Sequence, residues 1–216
     1  MTLAADWVTI SALATAAGTL VLALATFASV RSANRAARVA ERSLLEGLRP
    51  LLLGSKLDDA PQKIGFVDDK WFLAEGGRGI AEVGDAAVYL AIPLRNVGSG
   101  IAVLHGWTFY ATEELSVDGV RDHRDPSEFI RLTRDLYIPV NDVGFWQGAF
   151  RDPASPEFAE ARDAVERRIV LIIDLLYGDY EGGQRTITRF ALRPLGEDGW
   201  TVTTARHWNI DRDDPR

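Results

Sequence analysis

The chain has few side chains that do covalent chemistry. It has no cysteine, which removes a thiol nucleophile and any thiolate-bound metal. Its three histidines, His105, His123 and His207, stand in no metal-ligand spacing, and neither a G-x-S-x-G elbow nor a phosphate-loop lysine occurs. Asp118, Asp122, His123 and Asp125 fall in one loop whose oxygens could hold a divalent cation. The spacing is not that of an EF-hand, and aspartate favours turns for its local hydrogen bonds. Asp174 lies inside RIVLIIDLLY (168–177), where a carboxylate must find a partner or change its pKa. Such an aspartate more often sits at the strand's exposed end, or is paired with an arginine from a neighbour such as Arg189. Asp174, His105 and Arg189 are the ligand-site candidates, with His105 expected as a satisfied core or half-buried histidine among apolar strand neighbours. The glycines of NVGSG (96–100) could offer N–H groups to an anion. With no lysine beside them and no helix following, they read as a tight turn. The sequence thus points to no metal, no cofactor and no enzymatic activity.

The stretch around which the rest is arranged is Trp7–Val30, twenty-four residues without a charge between Asp6 and Arg31. As a helix it would extend about 36 Å, enough to cross a hydrocarbon core of ~30 Å with some tilt. A signal peptide would want a basic start and a shorter apolar core, and a buried core helix seldom runs so far uncharged. Ser11, Thr15, Thr19 and Ala23 follow at four-residue steps with Gly18 beside them, a spacing that lets two helices approach closely. Arg31, Arg35, Arg38 and Arg42 come next. Basic flanks stay cytoplasmic, so the expected orientation is N-terminus outside and the remainder inside the inner membrane.

Five arginines against Glu41 and Glu46 leave residues 31–49 at +3. Asp6 is the only earlier charge, so residues 50–216 hold −9 within a net −7. An acidic domain argues against nucleic-acid binding, which needs a positive footprint. Residues 31–48 consist of good helix formers and should continue the first helix from about residue 5 until Pro50 stops it.

From Leu51 onward, short segments rich in β-branched and aromatic residues alternate with Gly, Asp and Pro, which predicts strands. Candidates are 51–57, 64–73, 86–95, 101–111, 137–140, 143–150, 168–177, 185–193 and 200–209, with a loop at 75–79 and a hairpin tip at 113–122. The segment 168–177 should be a central strand buried on both faces. Pro93 should leave a free side on its strand. Asp125-Pro126 and Ser155-Pro156 are helix starts, predicting short helices over about 125–136 and 156–166. The fold class expected is mainly β with an N-terminal transmembrane α-helix. Its domain would be an immunoglobulin-like β-sandwich with two short helices. The bounds are 1–30 for the anchor, 31–49 for the juxtamembrane helix, 50–211 for the sandwich and 212–216 for a tail.

Ile92–Ala102, IPLRNVGSGIA, resembles the N-x-G-x-G-x-A turn of small bacterial membrane proteins of unknown function. Those carry an N-terminal helix, an arginine-rich juxtamembrane stretch, an Arg-Pro entry and a β-sandwich. The matching residues are Asn96, Gly98, Gly100 and Ala102, with Arg49-Pro50 as the entry and Asp179-Tyr180-Glu181-Gly182 similar to a late hairpin. The resemblance implies the same architecture and orientation and, resting on turn residues, no activity.

The function expected is a membrane-anchored, non-enzymatic interaction or scaffold module that self-associates. Its partners would be the lipid bilayer, a second copy and a protein met by the cytoplasmic β-domain. Exposed tryptophans among Trp71, Trp107, Trp146, Trp200 and Trp208 would anchor that interface, although strand alternation makes most of them core. The alternatives are a ligand-binding sensor or effector subunit and, third, a pore lined by Thr15 and Thr19.

Overall fold

A computed structural model gives the fold. It describes residues 2–113, 122–197 and 199–212, with side chains at all of these except 2–6 and 42. Most of the expected hairpin tip at 113–122 and of the tail lies outside the described residues. The chain divides into two units, Met1–Glu46 and Gly47–Arg216.

The first unit is one helix, α1, Thr2–Glu46. It is unbroken across the change from apolar to basic residues, as the run of Ala, Leu and Arg requires. It ends just ahead of Pro50. From Trp7 to Leu44 the large apolar side chains are exposed, Trp7 at 73% and Leu44 at 71%. The helix is therefore long and apolar enough to span a membrane.

The second unit is mainly β. Its strands are β1 Leu52–Gly54, β2 Gln62–Gly65, β3 Trp71–Ala74, β4 Arg78–Val83, β5 Val88–Asn96 and β6 Ala102–Thr112. Then come β7 Ile130–Ile138, β8 Val143–Phe150, β9 Val170–Gly178, β10 Arg185–Leu195 and β11 Gly199–Asn209. The second helix, α2, Pro156–Glu166, begins where Ser155 accepts from the Phe158 N–H. Nine strands form a curled antiparallel sheet in the order β1-β5-β4-β11-β10-β9-β6-β7, with β8 also on β5. β2 and β3 form a separate hairpin. The curl places β5 and β8 opposite β6, β9 and β10. Between them Trp107, Trp146 and Phe150 meet edge to face at 5.1 and 5.3 Å. The α2 residues Phe158, Ala161, Ala164 and Val165 join the same core. β9 is buried at every position, as its continuous apolar run predicts.

Three local expectations are corrected, and a fourth, the free side at Pro93, holds locally but on an interior strand. The helix foreseen over 125–136 is a single 3-10 turn, Pro126–Glu128, followed by β7. The start signal is real, since Asp125 and Glu128 form a reciprocal cap. The helix stops because Phe129 turns extended and packs with Leu176, Ile187 and Trp208. Tertiary burial outweighs local propensity there. Residues 64–73 are not one strand but the β2–β3 hairpin, turning at 66–70. Two of the five residues of the loop foreseen at 75–79 belong to β4, which carries Arg78 and Gly79 against Thr201 and Trp200 of β11. Pro93 lies on an interior strand, opposite Phe145 of β8. On the other edge, pairing with β4 ends at Ala91 and pairing with β1 begins at Leu94. The missing N–H thus falls where one neighbour replaces the next, and the Pro93 carbonyl accepts from the Ser55 N–H at 3.0 Å.

Candidate functional site

Alternate residues of β9 serve two faces. Leu171, Ile173, Leu175 and Tyr177 belong to the main core. Val170 and Ile172 pack with Ala191 and Tyr110, and Leu176 packs with Phe129, Ile187 and Trp208. Asp174 shares this second face. Its register partner on β10 is Arg189, and its partner on β6 is Thr108.

Asp174 and Arg189 form a two-point ion pair. Nε donates to Oδ1 and Nη2 to Oδ2, both at 2.7 Å, with the side chains 0% and 1% exposed. Nη2 also donates to the Asp122 carbonyl at 3.1 Å. The guanidinium lies 4.8 Å from the Trp208 ring and 5.6 Å from Tyr110, and Arg206 approaches Trp208 from 5.2 Å. Burial works against the charge of Arg189, and the Asp174 carboxylate more than offsets it, so the arginine pKa is raised. Both carboxylate oxygens are engaged by the guanidinium fork. The pair is suited to holding three elements together, not to moving a proton.

Next to Trp208 is an open cleft of about 340 Å³ lined by His123, Pro126, Arg185, Trp208, Asn209, Ile210 and Arg212. His123 meets Trp208 edge-on at 5.7 Å, and its Nδ1 lies 2.8 Å from the Arg124 carbonyl. An aromatic wall with arginines at the rim suits a small anion that has a flat face.

Of the three candidates, the structure unites Asp174 and Arg189 and leaves His105 apart. His105 stands at an irregularity where the β6–β9 register shifts between Leu104 and Gly106. The inserted residue turns His105 toward the surface, which corrects the core alternative, while its ring stays partly covered as the half-buried one expects. Partial desolvation and the charge of Arg185 lower its pKa. The proposed cation loop is occupied by turn chemistry. Asp122 Oδ1 accepts from the His123 N–H, and Asp125 Oδ1 accepts from Ser127. Asp118 lies outside the described residues. Among the described residues no cluster of three His, Asp or Glu could hold a metal.

The Asn96 turn has a mechanical role. Asn96 is fully buried and uses its whole amide. Nδ2 donates to the carbonyls of Gly100 at 2.7 Å and Ile138 at 3.0 Å. Oδ1 accepts from the N–H groups of Gly98 at 3.0 Å and Leu51 at 3.3 Å. The Ser99 N–H adds a bond to Arg49 O at 3.0 Å, and the Val97 N–H one to Leu51 O at 2.8 Å. A Cβ on Gly100 would fall 1.7 Å from Leu48 O, and one on Gly98 would fall 2.3 Å from Leu51 N. The turn therefore clamps the first residues of the β-unit. Arg49 completes the clamp with a two-point pair to Asp211 at 3.0 and 2.7 Å. Nearby, the Leu52 N–H donates to the Tyr177 hydroxyl at 3.1 Å. That hydroxyl lies 2.8 Å from Thr188 Oγ1, which lies 2.7 Å from His207 Nδ1.

On α1, Ser11, Thr15 and Thr19 donate to the carbonyls of Val8, Ser11 and Thr15 at 2.9, 2.9 and 2.8 Å. Their hydroxyls are satisfied within the helix. A Cβ on Gly18 would meet nothing within 4 Å, and Ala23 is exposed. Arg31, Arg35 and Arg38 are exposed. Arg42 is helical in its backbone.

No protein family, curated protein or solved structure matches the chain.

Sequence reasoning missed Tyr110 and Trp208 as the cap of the ion pair, and Arg49–Asp211 as a clamp. The signal for the first was available in part, because an aromatic two positions from Thr108 shares the face of Asp174. The second spans 162 positions in sequence and leaves no local trace.

Proposed function

We propose that this chain is a membrane-anchored, non-enzymatic interaction module. Its apolar helix crosses the inner membrane with the N-terminus outside. Its acidic β-domain stands in the cytoplasm and meets a protein partner, and the helix pairs with a second copy. We also read the two halves of the curled sheet as the layers of an immunoglobulin-like sandwich, a reading favoured by the main core they enclose. The likeness of the Asn96 turn and the Arg49-Pro50 entry to small bacterial membrane proteins is kept here as part of the same reading.

The observation that carries it is the state of α1. Forty-five helical residues have an exposed apolar half, and inside it the Thr15 and Thr19 hydroxyls donate to the carbonyls of Ser11 and Thr15 one turn earlier. Such a surface needs lipid or another helix as cover. The clamp at Leu48–Leu51 fits a domain that must hold its place at the end of an anchor. Exposed Trp71 and Leu73, at 58% and 60%, lie on one side of the β2–β3 hairpin and suit a protein partner. Trp107, Trp146, Trp200 and Trp208 are core, so Trp71 carries that role in the β-unit.

Native mass measurement of the full chain extracted from its own membrane tests this. The expected result is a mass above one copy, from a second chain or a co-purifying protein. A strict monomer with nothing bound contradicts it. A second reading, a ligand-binding sensor subunit, is favoured by the cleft beside Trp208. It predicts a rise in Tm with a small aromatic carboxylate, lost in Arg185→Ala, and an unchanged Tm removes it. The pore reading is disfavoured, because Thr15 and Thr19 have spent their hydroxyls within the helix.

A further inference from the structure

Where its uncharged segment ends, α1 carries a groove of about 200 Å³ lined by Phe27, Val30, Arg31, Asn34 and Arg38. Long side chains on a helix lean toward its N-terminus. Arg38 does so, and its Nε donates to the Asn34 carbonyl at 3.3 Å. Its guanidinium is thereby carried about 6 Å, or one turn, back toward the apolar segment. Arg31 is the first charge after Val30, and no carboxylate follows before Glu41. Arg31 and Arg38 thus line the groove on either side of Asn34 in the chain, where an apolar span gives way to headgroups, with Phe27 and Val30 completing its lining.

We propose that this groove binds an anionic phospholipid. Its phosphate sits between Arg31 and Arg38, the Asn34 amide lies beside it, and the upper acyl chain rests on Phe27 and Val30. The proposal rests on reading α1 as a membrane span. Guanidinium forks match phosphate oxygens in pairs, which an ammonium does not. A free phosphate ion would leave the apolar lining unused, so the occupant is a lipid. Arg35 belongs to the same basic stripe but lies about 40° around the helix from Arg31 and does not line the groove. That difference separates a defined site from general attraction by the stripe.

The test uses the full chain in detergent, with native mass spectrometry after adding phosphatidylglycerol, phosphatidylcholine or sodium phosphate. The expected result is retention of phosphatidylglycerol, no retention of phosphatidylcholine and no displacement by sodium phosphate. Arg31→Gln and Arg38→Gln should each reduce retention about fivefold, and Arg35→Gln by less than about twofold. Equal retention of both lipids, displacement by phosphate, or an equal loss in Arg35→Gln overturns the proposal. Flotation with phosphatidylcholine vesicles keeps the two claims apart. A chain that floats but shows no lipid preference refutes the groove alone, whereas a chain that does not float refutes the membrane span beneath it.

Discussion

At the residue scale the strongest claims concern polar groups that are buried and fully used. Asp174 and Arg189 neutralise each other beneath Tyr110 and Trp208. Removing one strands the other, so Asp174→Ala should cost about 3–5 kcal/mol in urea unfolding. Asp174→Leu combined with Arg189→Met should recover most of that, because a matched apolar pair leaves no buried charge. Tyr177 makes a second prediction. Burial pushes its phenol up to about 12, against an ordinary value near ~10. A folded pKa above the unfolded one means the contribution is complete below about pH 10 and is lost as pH rises toward 12. Two pKa units correspond to roughly 2–3 kcal/mol. The stability difference between the wild type and Tyr177→Phe should therefore shrink between pH 10 and 12, as followed by urea midpoints. A difference that stays constant over that interval would show that the phenol is not held neutral. Of these residues, Asp174 was legible because a lone carboxylate in an apolar run demands a partner. Its partner was legible as well, since β10 follows β9 through a short turn. The core alternative for His105 failed because one inserted residue in β6 shifts the alternation of side chains, and no composition signal marks a bulge.

At the element scale, local signals held wherever tertiary packing agreed with them. Ser155-Pro156 starts α2, and its apolar positions fall where the core needs them. Asp125-Pro126 starts a helix equally well, yet the chain abandons it after one turn so that Phe129 can be buried. Period-2 alternation located most of the long strands to within a few residues. It missed the β2–β3 turn, whose Asp-Asp-Lys lies inside a stretch dense in aromatic residues. The turn at Asn96 shows how a motif can be read correctly as a turn while its purpose stays hidden. Its amide holds Leu51, Gly98, Gly100 and Ile138 together. Asn96→Ala should lower stability by about 2–4 kcal/mol, since several buried backbone groups lose their partner at once. Gly100→Ala should be at least as harmful because the Leu48 carbonyl blocks the added carbon. Amide exchange at Leu51 and Val97 reports both effects. Protection unchanged in either variant would show that the clamp is not what orders the start of the domain.

At the scale of the whole molecule, two units with opposite solvent requirements share one chain. Helix Thr2–Glu46 exposes an apolar half that water disfavours, and Gly47–Arg216 folds around its own core. The membrane-spanning length and the basic flank were legible because they are properties of composition along the chain. The curled sheet order was not, because β4 reaches β11 across more than a hundred residues through only two pairings. The absence of native cysteine permits a direct measurement of the central claim. Single cysteines introduced at Thr2, Leu13, Leu20, Leu24 and Asp152 can be exposed to a membrane-impermeant maleimide in intact spheroplasts and again after lysis. The account predicts that Thr2→Cys reacts in intact spheroplasts, Asp152→Cys reacts only after lysis, and the three helix positions stay unreactive throughout. Rapid reaction of Leu13, Leu20 and Leu24 in water, or reaction of Asp152→Cys from outside, would contradict it.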